Sequence, residues 1–256
     1  MRATALVLIG SVLLLPTVVI AQTPARGVSL EAKRANEHYK SGWESMRREA
    51  WDDAAREFQA AIDNDERFAL AYYSLGRAEM GRRNFPRAIA AYVKCRELYL
   101  DAGGARFSNQ LDTKRRLEDR ILEYQTAIGQ AQQGPTGKGQ TQQLLVRELQ
   151  TTLMTLQQAR DRSDSVQIEV SVPYFVPMAL GAAYFRNGQF TDAEREYTLA
   201  IQANPQSGET HNNLAVLYLM TGRLDQAEKA VAKAEDTGFK VNPGLKDDIR
   251  KKKSGS

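Results

Sequence analysis

A recurrence of 34 residues constrains this chain more than any other feature of its sequence. Gly42 and Gly76, Ala54 and Ala88, and Phe58 and Tyr92 each lie one such interval apart. The unit is clearest between Met178 and Pro205, where Leu180-Gly181, Tyr184, Gly188, Phe190, Ala193, Tyr197, Ala200 and Pro205 follow at fixed spacing. The apolar positions recur at helical steps on either side of Gly188, which predicts two short amphipathic helices joined by a turn. Small residues let the two helices approach, and aromatic rings fill the space opposite them. A unit of this length cannot bury its apolar face alone, so copies must stack.

The pattern resembles the tetratricopeptide repeat, and four copies are legible. Repeats one and two occupy 35–102, with Trp51 and Phe85 at the aromatic place after the turn and Cys95 at a small-residue place in helix B. Ser45 and Glu79 stand where the first helix of the pattern wants an aromatic. Repeats three and four occupy 174–241, the last with Leu214, Ala215, Tyr218, Gly222, Leu224, Ala227 and Ala234 in register. The resemblance implies an all-α solenoid of two repeat pairs. Residues 242–256 then read as a capping helix with a basic tail, which a solenoid end requires. The Arg250-Lys-Lys-Lys run is expected to face water as part of that cap, the alternative being weak attraction to an anionic surface.

The 103–173 segment between the pairs lacks the repeat's marks. Phe107, Leu111, Leu117, Ile121, Tyr124, Ile128 and Ala131 recur at three- and four-residue steps, as do Leu145, Leu149, Leu153, Leu156 and Arg160 after a Gly-rich tip. This predicts a long antiparallel helical hairpin. The Thr-Gly-Lys of the tip is not a phosphate loop, because Lys138 is followed by Gly139 rather than Ser or Thr and no strand precedes it. Val166 to Val172 alternates apolar and polar residues as a strand or extended connector would.

The first 21 residues, with Arg2, an apolar run from Ala3 to Ile20 and a Val19-Ile20-Ala21 ending, predict a secretory signal cleaved after Ala21, the alternative being a retained anchor. The mature protein is then expected outside the cytoplasm, with 22–34 a lead-in that turns helical near Ser29. The net charge of +4 is contributed by Arg2 and by the C-terminal segment from Lys246. The body is therefore balanced, which argues against nucleic-acid binding. Cys95 has no partner for an internal disulfide and reads as a buried thiol. His38 and His211 share one repeat position and have no ligand-spaced companions, so packing is expected rather than metal or acid–base work. No cofactor, metal, small-molecule substrate or catalytic residue is indicated.

In the family that the chain resembles, the inner face is lined from the second, fifth, ninth and twelfth places of helix A. The resemblance implies Asn36, Tyr39, Trp43 and Met46 in repeat one, Leu70, Tyr73, Arg77 and Met80 in repeat two, Phe175, Met178, Ala182 and Phe185 in repeat three, and Glu209, Asn212, Val216 and Leu219 in repeat four. The Lys and Asn places of the clamp for acidic peptide C-termini hold Tyr39 and Trp43 in repeat one, and only Asn212 matches. An apolar lining of this kind calls for a cover. Either a protein or peptide partner lies in the groove, anchored by Tyr39, Trp43, Tyr73 and Met178, or the hairpin and connector fill it. The expected function is a non-catalytic interaction scaffold; the alternative is an envelope assembly part that self-associates or docks through the hairpin.

Overall fold

The computed structural model describes residues 28–104, 110–133, 140–161 and 171–255. The expected signal segment, the hairpin tip and most of the alternating 166–172 stretch lie outside them. Among the described residues there are eleven helices and no strand. None of these helices is long and apolar enough to cross a membrane.

The repeat helices are α1 (Leu30–Arg47), α2 (Trp51–Asn64), α3 (Ala69–Gly81) and α4 (Phe85–Gly104) in the first pair. The hairpin follows as α5 (Gln110–Gln133) and α6 (Gln140–Asp161). The second pair is α7 (Phe175–Arg186), α8 (Phe190–Ala203), α9 (Gly208–Met220) and α10 (Leu224–Asp236), closed by α11 (Pro243–Ser254). The first helix begins five residues before the expected repeat boundary because Ser29 caps it, its side chain accepting from Ala32 N at 3.0 Å. The fourth runs two residues past the expected end of repeat two at Ala102.

Each helix A ends in the same backbone motif. The residue after the turn donates to a carbonyl five back, as in Ala50 N to Ser45 O, Asn84 N to Glu79 O, Gln189 N to Tyr184 O and Arg223 N to Tyr218 O, at 2.8 to 3.0 Å. Such an end needs one residue with positive φ. Repeats three and four supply Gly188 and Gly222; at the same places repeats one and two use Glu49 (φ 57°) and Arg83 (φ 58°).

Within a repeat the helices are held close by a glycine facing an aromatic ring. A Cβ on Gly42, Gly76 or Gly181 would sit 2.6, 2.5 or 2.7 Å from the rings of Phe58, Tyr92 and Tyr197. In the fourth copy the glycine is Ala215 and the ring is replaced by Val231, both buried. The extra methyl is matched by a smaller facing side chain, which keeps the core volume.

The two pairs form one continuous stack, since α7 packs directly on α4 as α3 packs on α2. Tyr73 meets Phe175 edge-on at 4.9 Å across this junction, and the Arg186 guanidinium lies 5.5 Å over the Phe85 ring. The hairpin leaves the stack between α4 and α7, and α5 returns to lie along α1. The two run in the same direction: Asp119 Oδ1 accepts from Ser29 N at 2.8 Å near the start of α1, and Gln130 accepts from Arg47 at 3.0 Å near its end. At the other end of the stack, α11 buries Ile249 on α10, and Lys253 reaches Asp225 and Glu228 at 2.8 and 2.6 Å. That part of the basic run is used in capping.

Candidate functional site

The inner face is divided by what covers it. In repeat one, Asn36, Tyr39, Trp43 and Met46 are all buried, none more than 9% exposed. They share one core cluster with Leu117, Ile121, Tyr124 and Ala127 of α5 and with Leu149 and Leu156 of α6. The hairpin therefore fills the groove there, and Tyr39 and Trp43 are core residues rather than open anchors. The physical reason is area: two long helices with apolar seams gain more by burying those seams on an apolar wall than by standing in water.

The places in repeat two and the first half of repeat three are mostly buried as well, chiefly by neighbouring repeat helices. Leu70, Tyr73, Phe175 and Met178 are buried, Arg77 and Met80 half-buried. The rings interlock: Tyr39 lies 4.8 Å from Phe68 and 6.4 Å from Trp43, and the Arg77 guanidinium sits 4.9 Å from the centre of the Trp43 ring. Ser74 Oγ donates to the Tyr39 hydroxyl at 3.3 Å, joining α1 to α3 through their polar tips. Burial raises the hydroxyl of Tyr39 and pushes that of Tyr73 up to about 12, so both are neutral donors at any ordinary pH.

Further along, the lining opens. Ala182 and Phe185 in α7 and Asn212 and Val216 in α9 are half-buried, as Arg77 and Met80 are, while Leu219 is buried. Phe185 leans on Phe190 at 5.6 Å, which fixes the ring against the next helix and leaves part of it accessible. Glu209, half-exposed as a residue, has one carboxylate oxygen fully buried without a hydrogen-bond partner. Its charge acts on the hydroxyls of Tyr73, Tyr174 and Tyr197, each already raised by burial.

Sequence reasoning missed three contributors: Tyr174, which is 2% exposed, the buried oxygen of Glu209, and the second buried flank of α5. Tyr174 precedes the first helical place and so falls outside a pattern read on helix positions. The histidines are not packed into the core as expected: the His38 side chain is 42% exposed and its Nδ1 pairs with Glu57 at 2.9 Å across α1 and α2, and a His211 ring nitrogen lies 3.1 Å from Pro205 O. Cys95 is fully buried, and burial raises its thiol far above the reactive range. No set of ligating side chains among the described residues is placed to hold a metal ion.

Comparison with known proteins adds to this geometry. Family models described as tetratricopeptide repeat match residues 39–99 and 184–240. A 56-residue stretch is 34% identical to an uncharacterised protein of Haemophilus influenzae, covering 22% of this chain. The chain spans about a third of that relative's length, 31%. With matched segments in both helix pairs and one stacked helical array between them, the chain is a tetratricopeptide repeat protein.

Proposed function

We propose that this protein is an exported, non-catalytic scaffold that binds an extended protein segment on the uncovered part of its inner face, around Phe185, Asn212 and Val216. Tetratricopeptide repeats are in general protein–protein interaction modules. The observation that carries the location is the contrast between the two ends of the groove: the four repeat-one places are all buried, and those at Ala182, Phe185, Asn212 and Val216 are only half-buried. Phe185 and Val216 offer apolar contact, and the Asn212 amide can both donate to and accept from a peptide backbone.

A photo-crosslinking residue at position 212 tests this, with one at position 39 as the comparison. Adducts are expected from position 212 and none from position 39. Phe185→Ala and Asn212→Ala are expected to weaken capture by about tenfold or more. Adducts from 39 alone, or capture indifferent to both substitutions, would overturn the location. Export is supported by the Arg2, apolar and Val19-Ile20-Ala21 sequence, and N-terminal sequencing of the mature protein should begin at Gln22. Assembly through the hairpin is the second reading, favoured by Met154 on α6, which is 55% exposed; sedimentation of Met154→Lys against the parent chain decides it.

A further inference from the structure

The half-buried end of the inner face carries a single charged group among its helix A places: those from α7 are uncharged, and of those from α9 only Glu209 is charged. Glu209 begins the stripe that continues through Asn212 and Val216, three and seven residues on, so the three lie on one side of α9. One of its carboxylate oxygens, Oε2, is buried without a hydrogen-bond partner among the described residues. An oxygen in that state has given up its hydration and received nothing in return, and in a native fold it calls for a partner from elsewhere.

The surroundings add negative charge rather than neutralise it. Glu209 acts on the hydroxyls of Tyr73, Tyr174 and Tyr197, which sets it between α3, α8 and the residue before α7. A second carboxylate reaches the same wall from the hairpin: Glu148 of α6, half-buried, also acts on Tyr174. Arg77 opposes Glu209 at Tyr73, but its guanidinium is engaged on the Trp43 ring at 4.9 Å. The face thus combines apolar lining, one amide and an acid whose buried oxygen is unmatched.

From this arrangement we infer that the segment bound on the inner face is basic: a Lys or Arg side chain of the partner enters beside Tyr174 and pairs with Glu209, with Glu148 strengthening the negative field around it. The inference rests on the proposed role of this face in holding a protein segment, and it names the chemistry of what is held. A long basic side chain suits the lining because its aliphatic stem lies on apolar surface while its head meets the acid. A bare metal ion does not, since the described residues bring no set of ligating side chains together. Along α9 the rise of the helix puts Glu209 and Val216 about 10 Å apart, the span of about three residues of extended chain. A segment lying along α9 therefore carries its basic residue and an apolar one three positions apart.

Selection of random dodecapeptides on the full chain tests this, with Glu209→Gln and Glu209→Lys selected in parallel and circular dichroism confirming that each variant is folded. Peptides held by the parent chain are expected to be enriched in Lys or Arg at one position; Glu209→Gln should lose that enrichment and Glu209→Lys should replace it with Asp or Glu. For one selected peptide, fluorescence anisotropy should show binding weakened about tenfold by Glu209→Gln and about as much by alanine at the basic residue. The two changes together should cost little more than either alone, which a direct pairing requires. Peptides selected without a basic preference, or a preference that survives Glu209→Gln, would overturn the inference while leaving the docking face in place. No peptide selected, together with no adduct from position 212, would remove both.

Discussion

Arg96 on α4 donates to both carboxylate oxygens of Glu196 on α8, at 2.9 and 3.1 Å, a pairing of residues 100 positions apart in the chain. Glu196 is completely buried and receives Arg195 as well, at 3.3 Å. This ion pair crosses the junction where the hairpin leaves the stack, so it fastens the two repeat pairs where sequence continuity does not. Removing one member strands the other: Arg96→Ala is expected to cost about 3 kcal/mol, and the double change Arg96→Met, Glu196→Leu markedly less. Urea denaturation measures both. Because the pair joins two halves of a solenoid, Arg96→Ala should also split the transition into two, and a single unshifted transition would count against this role.

Gly181 and Tyr197 make a second pairing that can be tested against the chain's own alternative. A methyl group at 181 meets the ring at 2.7 Å, so Gly181→Ala is expected to destabilise by about 1–3 kcal/mol. Tyr197→Val alone leaves a void and costs a similar amount or more. The two together recreate the Ala215 and Val231 arrangement of repeat four, and their combined cost should fall below the sum by about 1 kcal/mol. Strict additivity in the double-mutant cycle would show that the copies are not interchangeable in this respect.

The helix A ends make an opposite pair of predictions. Nothing lies within 4 Å of a Cβ built at Gly188 or Gly222, so Gly188→Ala meets only the backbone penalty of positive φ, about 1 kcal/mol net of the reduced freedom of the unfolded chain. Conversely, Glu49→Gly and Arg83→Gly should be neutral to stabilising by up to about 1 kcal/mol, although glycine is ordinarily unfavourable next to a helix. Thermal denaturation of the four variants gives the signs. A clear loss in either glycine variant would mean that the side chain at that place contributes more than its backbone costs.

The features legible in the sequence are those that repeat locally. Gly181 facing Tyr197 lies within one helix pair, so the period displays a glycine against a ring in three copies and Ala215 with Val231 in the fourth, and the paired helices follow from that period. What fills the groove is another matter. The seam Leu117, Ile121, Tyr124, Ile128 and Ala131 marks one buried face of α5, but Glu123, Thr126, Ala127 and Gln130 are buried too, and a count of apolar residues passes over three polar side chains and an alanine. That second flank is where α5 meets other elements, and its burial depends on the path of the chain after α4, which no local spacing encodes. Glu49 and Arg83 are hidden for a related reason: a left-handed turn is advertised by glycine at 188 and 222 and by nothing at their counterparts.

Glu123 also contributes to how stability depends on pH. Its folded pKa is raised, first by burial, from the ordinary glutamate value of 4.5. The folded state therefore holds this proton more tightly than the unfolded state does. Stability from this group is fully present below 4.5 and is lost as pH rises through the interval up to the folded pKa, at about 1.4 kcal/mol per pH unit inside it. Glu123→Gln, uncharged at every pH, removes the slope. Subtracting the unfolding free energy of the parent chain from that of Glu123→Gln, across pH 4 to 9, cancels the other carboxyl groups. The difference should be smallest at acid pH and grow with pH in favour of the variant, then level where Glu123 ionises in the folded chain; a flat difference would mean that the carboxyl finds a partner and ionises normally.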